Sequence, residues 1–137
     1  MGVVKTIRMM MKSTHEIFVC EMGARHVGDI KELCDIVNPH DAIITSIGPQ
    51  HLETFGKIEN IISTKFELGD AVNGKGKILV NGDDENIRKG MGKYENVITY
   101  GFSDNNDYKA KDISVSYKGT KFTVVSKNGE ECEYETS

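Results

Sequence analysis

Apolar residues follow two rhythms along this chain. As far as Tyr100, short continuous apolar runs alternate with stretches in which apolar residues return every three or four positions. The first pattern marks buried strands and the second marks helices packed beside them. Val4, Ile7, Met10 and Met11 fall on one side of a helix expected to pack on a sheet. The run Ile17-Phe18-Val19-Cys20 reads as a strand buried on both faces. In the stretch from Asp29 to Val37, the residues Ile30, Leu33, Cys34 and Val37 share one helical face, and Asn38-Pro39 ends the helix. A second buried strand is predicted over Ala42 to Ile47, and a helix over Ile58 to Ala71 through Ile61, Ile62, Phe66 and Leu68. Lys77 to Val80 gives a third strand, stopped by Asn81-Gly82-Asp83-Asp84, and a short helix through Ile87 and Met91 follows. Asn96 to Tyr100 gives the fourth, stopped by Gly101. Strand and helix alternate, so the sheet is expected to be parallel with right-handed crossovers.

After the polar turn Asp104-Asn105-Asn106-Asp107 the rhythm changes to period two. Tyr108 to Ala110, Ile113 to Tyr117, Lys121 to Val125 and Cys132 to Tyr134 alternate apolar and polar residues. Lys118-Gly119-Thr120 and Lys127-Asn128-Gly129-Glu130 separate them, and the second carries the Asn-Gly hairpin signal. The fold class is therefore α/β: a mostly parallel sheet with flanking helices over residues 1–103, and a small antiparallel β meander over 104–137 forming its own sheet beside the first.

Composition narrows the function classes. With 137 residues, 38% of them hydrophobic and 28% charged, the chain is long enough for one domain with a core. Its 17 basic and 21 acidic residues are intermixed, with a net charge of −4, so the basic stripe of a nucleic-acid binder is missing. It has no apolar run long enough to span a membrane and no signal-peptide pattern at its start, which points to the cytoplasm. Cys20, Cys34 and Cys132 are odd in number and form no CxxC pair, which supports neither a disulfide framework nor a zinc site. They are expected to be small core residues, Cys20 and Cys34 especially.

Open α/β sheets bind ligands outside the carboxyl ends of their strands, and several polar residues stand there. Glu21 follows a predicted strand and precedes Met22-Gly23, where a carboxylate could hold Mg²⁺ beside a nucleotide phosphate or simply be solvated. His51, beyond Gly48-Pro49-Gln50, is either a metal ligand or a hydrogen-bonded loop residue. Lys65, on the next helix, is either a solvated charge or an amine that loses its proton near a metal and reacts with carbon dioxide to form a carbamate. The stretch Asn81 to Asp84 is either a turn with a helix cap or a loop near bound nucleotide.

Together these residues carry a resemblance. Glu21-Met22-Gly23-Ala24-Arg25-His26-Val27-Gly28-Asp29-Ile30, then Pro39, then Ile47-Gly48-Pro49-Gln50-His51-Leu52-Glu53-Thr54-Phe55-Gly56, Lys65-Phe66-Glu67 and Leu79-Val80-Asn81-Gly82-Asp83-Asp84 resemble the central domain of the Mur ligases. The stretch from Glu21 to Ile30 resembles the branch that joins D-Ala-D-Ala to UDP-MurNAc-tripeptide in peptidoglycan precursor synthesis. The resemblance runs from about Ile17 to Tyr108, and the meander also fits it.

The resemblance implies an ATP-dependent ligation in which ATP phosphorylates a carboxylate and the dipeptide amine attacks the acyl phosphate. It implies that Glu21 helps hold Mg²⁺ at the ATP phosphates, that His51 is a ligand of a second Mg²⁺, and that Lys65 is the lysine carried as a carbamate facing that second metal. It also implies that Asn81, and Asn105 or Asn106, lie near the nucleotide. The family's Gly-rich phosphate loop is not matched: Gly2-Val3-Val4-Lys5-Thr6 lacks its glycines and spacing. The resemblance thus leads one to expect Met1 to lie inside a longer protein, and the chain alone not to ligate. Two other readings stay open, a binding or scaffolding module that retained the fold and a sister amide ligase of the folylpolyglutamate type.

Overall fold

The structure is a computed structural model and describes residues 2–137. In chain order it contains α1 (Gly2–Met10), α2 (Asp29–Val37), β1 (Ala42–Ile44), α3 (Leu52–Phe55), α4 (Ile58–Val72), β2 (Ile78–Asn81), α5 (Glu85–Met91), β3 (Val97–Gly101), β4 (Tyr108–Ser116), β5 (Gly119–Ser126) and β6 (Glu131–Thr136). The strands form one six-stranded sheet in sequence order. β1, β2, β3 and β4 run parallel, and β4, β5 and β6 pair antiparallel. The meander is not a second sheet. Tyr100 pairs with Tyr108 and Gly101 with Lys109, so the polar turn re-enters the sheet directly beside β3.

One face of the parallel part carries the core. The pleat sends Ala42, Ile44, Ile78 and Val80 to the same side, where they meet Phe55 of α3, Ile61, Phe66 and Val72 of α4 and Ile87 of α5. Tyr94 completes this cluster. Its ring stacks on Phe66 at 5.5 Å, and its hydroxyl donates to the Phe66 carbonyl at 2.9 Å and to Asp70 Oδ1 at 2.8 Å. Burial, followed by the carboxylate of Asp70, pushes the Tyr94 hydroxyl up to about 12. The opposite face has no such cover. Ile43 points there and is 61% exposed, and Tyr108 and Tyr134 are about half exposed.

Three further expectations are corrected. Ile17 to Cys20 is not a strand: the segment is irregular, and Ile17 and Val19 are more than 80% exposed. A strand buried on both faces needs a paired neighbour and two covering layers, and the sheet begins at β1. α1 forms, but it buries none of its described residues and so does not pack on the sheet. Ile113 to Tyr117 does not form a strand separate from Tyr108 to Ala110. Both belong to β4, interrupted by a bulge between Lys111 and Ser114 where Asp112 takes a left-handed φ of 52°.

Candidate functional site

β1 ends at Ile44, so Thr45 and Ser46 emerge at its carboxyl end. α4 runs past them with Lys65 and Leu68 one turn apart on the same side. The irregular segment Cys20-Glu21-Met22 closes the remaining side. These walls, with Ile30, Ile43 and Ile44, enclose a cleft of about 360 Å³. Glu21 and Lys65, 44 positions apart in sequence, are thus brought to one place. Thr45 and Ser46 add two hydroxyls that the sequence reading passed over, although small polar residues just after a buried strand were a usable signal. Cys20 is half-buried in the same wall, and loss of water around its thiol pushes its pKa up.

His51 stands elsewhere. It precedes α3 in a left-handed conformation with φ 56°, is exposed, and does not line the cleft. Its carbonyl accepts from the backbone N–H groups of Thr54 and Phe55. The approach to this loop is fixed at Ile47. The Ile47 N–H donates to Asp84 Oδ2 at 2.8 Å, and its carbonyl accepts from Asn86 Nδ2 at 2.8 Å. The other oxygen of Asp84 caps α5, accepting from the backbone N–H groups of Asn86 and Ile87. One carboxylate therefore ties the loop that carries His51 to the turn after β2.

Asn81, Asn105 and Asn106 gather around that turn and the loop after β3. Asn81 Oδ1 accepts from the Asp83 N–H at 3.0 Å, an Asx turn, and Asn81 also borders a hollow of about 230 Å³ with Tyr100, Phe102, Tyr108 and Phe122. Asn105 is exposed, and its Oδ1 accepts from Arg88 at 2.9 Å. Asn106 is buried, with its amide donating to Asp83 Oδ1 at 2.9 Å and to the Ser103 carbonyl at 3.1 Å. Its own Oδ1 is buried without a partner. That oxygen lies so close to Gly82 that a side-chain carbon there would sit 2.0 Å from it. Asp83 also accepts from the N–H groups of Phe102 and Ser103, and these donors, led by Phe102, lower its pKa to about 2.

The donor set limits what metal the cleft can hold. Among the described residues no three His, Cys, Asp or Glu side chains gather where they could bind an ion. The cleft offers one carboxylate, two hydroxyls and an amine. Mg²⁺ is commonly held by one or two carboxylates plus the phosphates of a substrate, so these residues fit an ion shared with a phosphate and not a free-standing metal centre.

The family model for the Mur ligase middle domain matches residues 1–137. The chain belongs to this family. As a Mur ligase middle domain it is 34% identical over 123 residues to the UDP-N-acetylmuramoyl-tripeptide--D-alanyl-D-alanine ligase of Bacillus subtilis, covering 90% of this chain and 26% of the relative. The chain thus spans about a quarter of the length of that relative. Among solved structures, MurF ligase from Thermotoga maritima, in complex with ADP, superimposes with a TM-score of 0.83 at 29% identity, covering 98% of this chain and 31% of that one. An FPGS from L. casei superimposes with a TM-score of 0.65 at 13% identity, covering 86% of this chain and 28% of that one, a likeness of fold alone. No described helix of this Mur ligase domain is long and apolar enough to cross a membrane.

Proposed function

We propose that the chain is the partial middle domain, residues 1–137, of a cytoplasmic ATP-dependent ligase that joins D-Ala-D-Ala to UDP-MurNAc-tripeptide. Transfer of the γ-phosphoryl group of ATP to the tripeptide carboxylate gives an acyl phosphate and ADP. The dipeptide amine then attacks the acyl carbon, and phosphate leaves with the new amide formed. The observation that carries this reading is the cleft shared by Glu21 and Lys65, in a chain 34% identical to a ligase of that name. The sister ligase reading rests on fold alone and is the weaker one.

In this reading Glu21 supplies the carboxylate for Mg²⁺ at the ATP phosphates, with Thr45 and Ser46 as neighbouring oxygens. Lys65, as a carbamate, would present oxygens where its ammonium would repel a cation, and His51, which stands outside the cleft on the loop anchored at Ile47, would serve the second Mg²⁺ from there. Asn81, and Asn105 or Asn106, would border the nucleotide. When bound, Mg²⁺ offsets charge on the phosphate oxygens.

A chimera tests the assignment. This chain replaces the matching segment of the Bacillus subtilis relative, and phosphate release is measured with both substrates present. The expected result is release that needs the tripeptide precursor and D-Ala-D-Ala together, lowered by roughly 100-fold or more in Glu21→Gln and Lys65→Ala, the scale for losing a charge-stabilising group. Release unaffected by either substitution rejects the site. The chain by itself is expected to release no phosphate in the same assay.

A further inference from the structure

We propose that Glu67 is a positioning residue that ties the segment carrying Glu21 to the helix carrying Lys65, and so fixes the width of the cleft. Gly28 is the N-cap residue of α2, in a left-handed conformation with φ 95° and with no side chain to cap the helix. Asp29, the next residue, turns back to accept from the N–H groups of Arg25 and His26 at 2.8 and 2.9 Å. The first-turn N–H groups of α2 therefore need an acceptor from outside the helix. Glu67 of α4 supplies it with both oxygens: Oε1 accepts from Gly28 N–H at 2.8 Å and Oε2 from Lys31 N–H at 2.8 Å. Such bonds to a carboxylate are stronger than neutral ones, and a helix N-terminus favours the negative charge.

The consequence for the cleft follows from what else holds Cys20 to Gly28 in place. That stretch contains neither helix nor strand. Its other ties are the Asp29 loop closure, a Cys34 thiol contact to Met22 Sδ at 3.9 Å, and partial burial of Ala24 against the core. Lys65 and Glu67 are two residues apart on one helix, so they point to different sides, Lys65 into the cleft and Glu67 toward α2. A single turn of α4 thereby sets both walls. The role assigned to the cleft rests on the functional reading above, whereas the tether can be tested without it.

Amide hydrogen exchange and backbone chemical shifts of this chain, with Glu67→Ala and Glu67→Gln, provide that test. In Glu67→Ala the Gly28 and Lys31 amides are expected to exchange roughly tenfold faster, as for loss of a helix cap. The Glu21 to Ala24 resonances are expected to shift, while exchange in β2 stays as in the wild type. Glu67→Gln keeps one acceptor and should fall between, which preserves the test if the alanine variant fails to fold. Unchanged exchange at Gly28 and Lys31 overturns the tether. Faster exchange with unmoved Glu21 to Ala24 resonances overturns the positioning role. In a parallel arm, Mn²⁺ with ATP should broaden the Glu21 and Lys65 amides together in the wild type and no longer together in Glu67→Ala. If Mn²⁺ with ATP broadens neither in the wild type, the metal reading fails while the exchange data still decide the tether.

Discussion

Asp83 shows how much one side chain can organise without touching the cleft. Its carboxylate gathers donors from Phe102, Ser103 and Asn106, and these hold its pKa at about 2 against the usual 3.8. A folded-state value below the unfolded one means that the ionised form stabilises the fold. That contribution is complete above the ordinary carboxylate value and is lost as pH falls from about 4 toward 2. The Phe102 amide resonance is therefore expected to titrate with a midpoint near 2 and to lose that transition in Asp83→Asn. A midpoint at the ordinary carboxylate value would show that the hydrogen bonds do not persist in solution. Asn106 is the converse case. Its buried amide oxygen has no partner, a costly arrangement, and is packed so tightly on Gly82 that only a residue without a side chain fits there.

At the scale of elements, α5 shows why cap chemistry was readable and its reach was not. The turn after β2 reads as a helix cap, and Asp84 does cap α5. The second oxygen of Asp84, bonded to Ile47 37 residues earlier, has no signature in local sequence. Asp84→Ala is expected to cost about 1.5–5 kcal/mol in urea unfolding, the sum of a lost cap and a stranded N–H. A loss within a few tenths of 1 kcal/mol would mean that the Ile47 bond adds nothing. The same division runs through the chain. Asp29 to Val37 gave its helix from periodicity, since local spacing decides a helix. Ile17 to Cys20 did not give a strand, because pairing is decided by a neighbour that local pattern cannot supply. Tyr94 is core, and it packs so closely on Gly69 that a side-chain carbon there would sit 2.9 Å from its ring. Glu21 was singled out as the acid after a predicted strand that does not form, and Lys65 as a lysine on the helix after β1. That both line one cleft while His51 stands outside it depended on the path of the chain between them.

The whole molecule is a one-sided sheet. Its helices cover a single face of the parallel strands, α1 covers nothing, and Tyr108 and Tyr134 stand in the open on the other side, with Ile43 exposed at the rim of the cleft. The accessible surface is 9733 Å², whereas a compact chain of 15.2 kDa is expected to expose about 7,100 Å². Apolar surface already wet in the folded state is not newly wetted on unfolding, and that difference is a calorimetric quantity. A globular chain of 137 residues is expected to show an unfolding heat capacity increment of about 1.6–2.1 kcal/mol/K. Scanning calorimetry of this chain at low concentration should give a value below that range, whereas a value within it would show that the open face is covered in solution. With a smaller increment the stability curve flattens, so the sheet's bare side makes the fold less sensitive to temperature between its cold and warm limits.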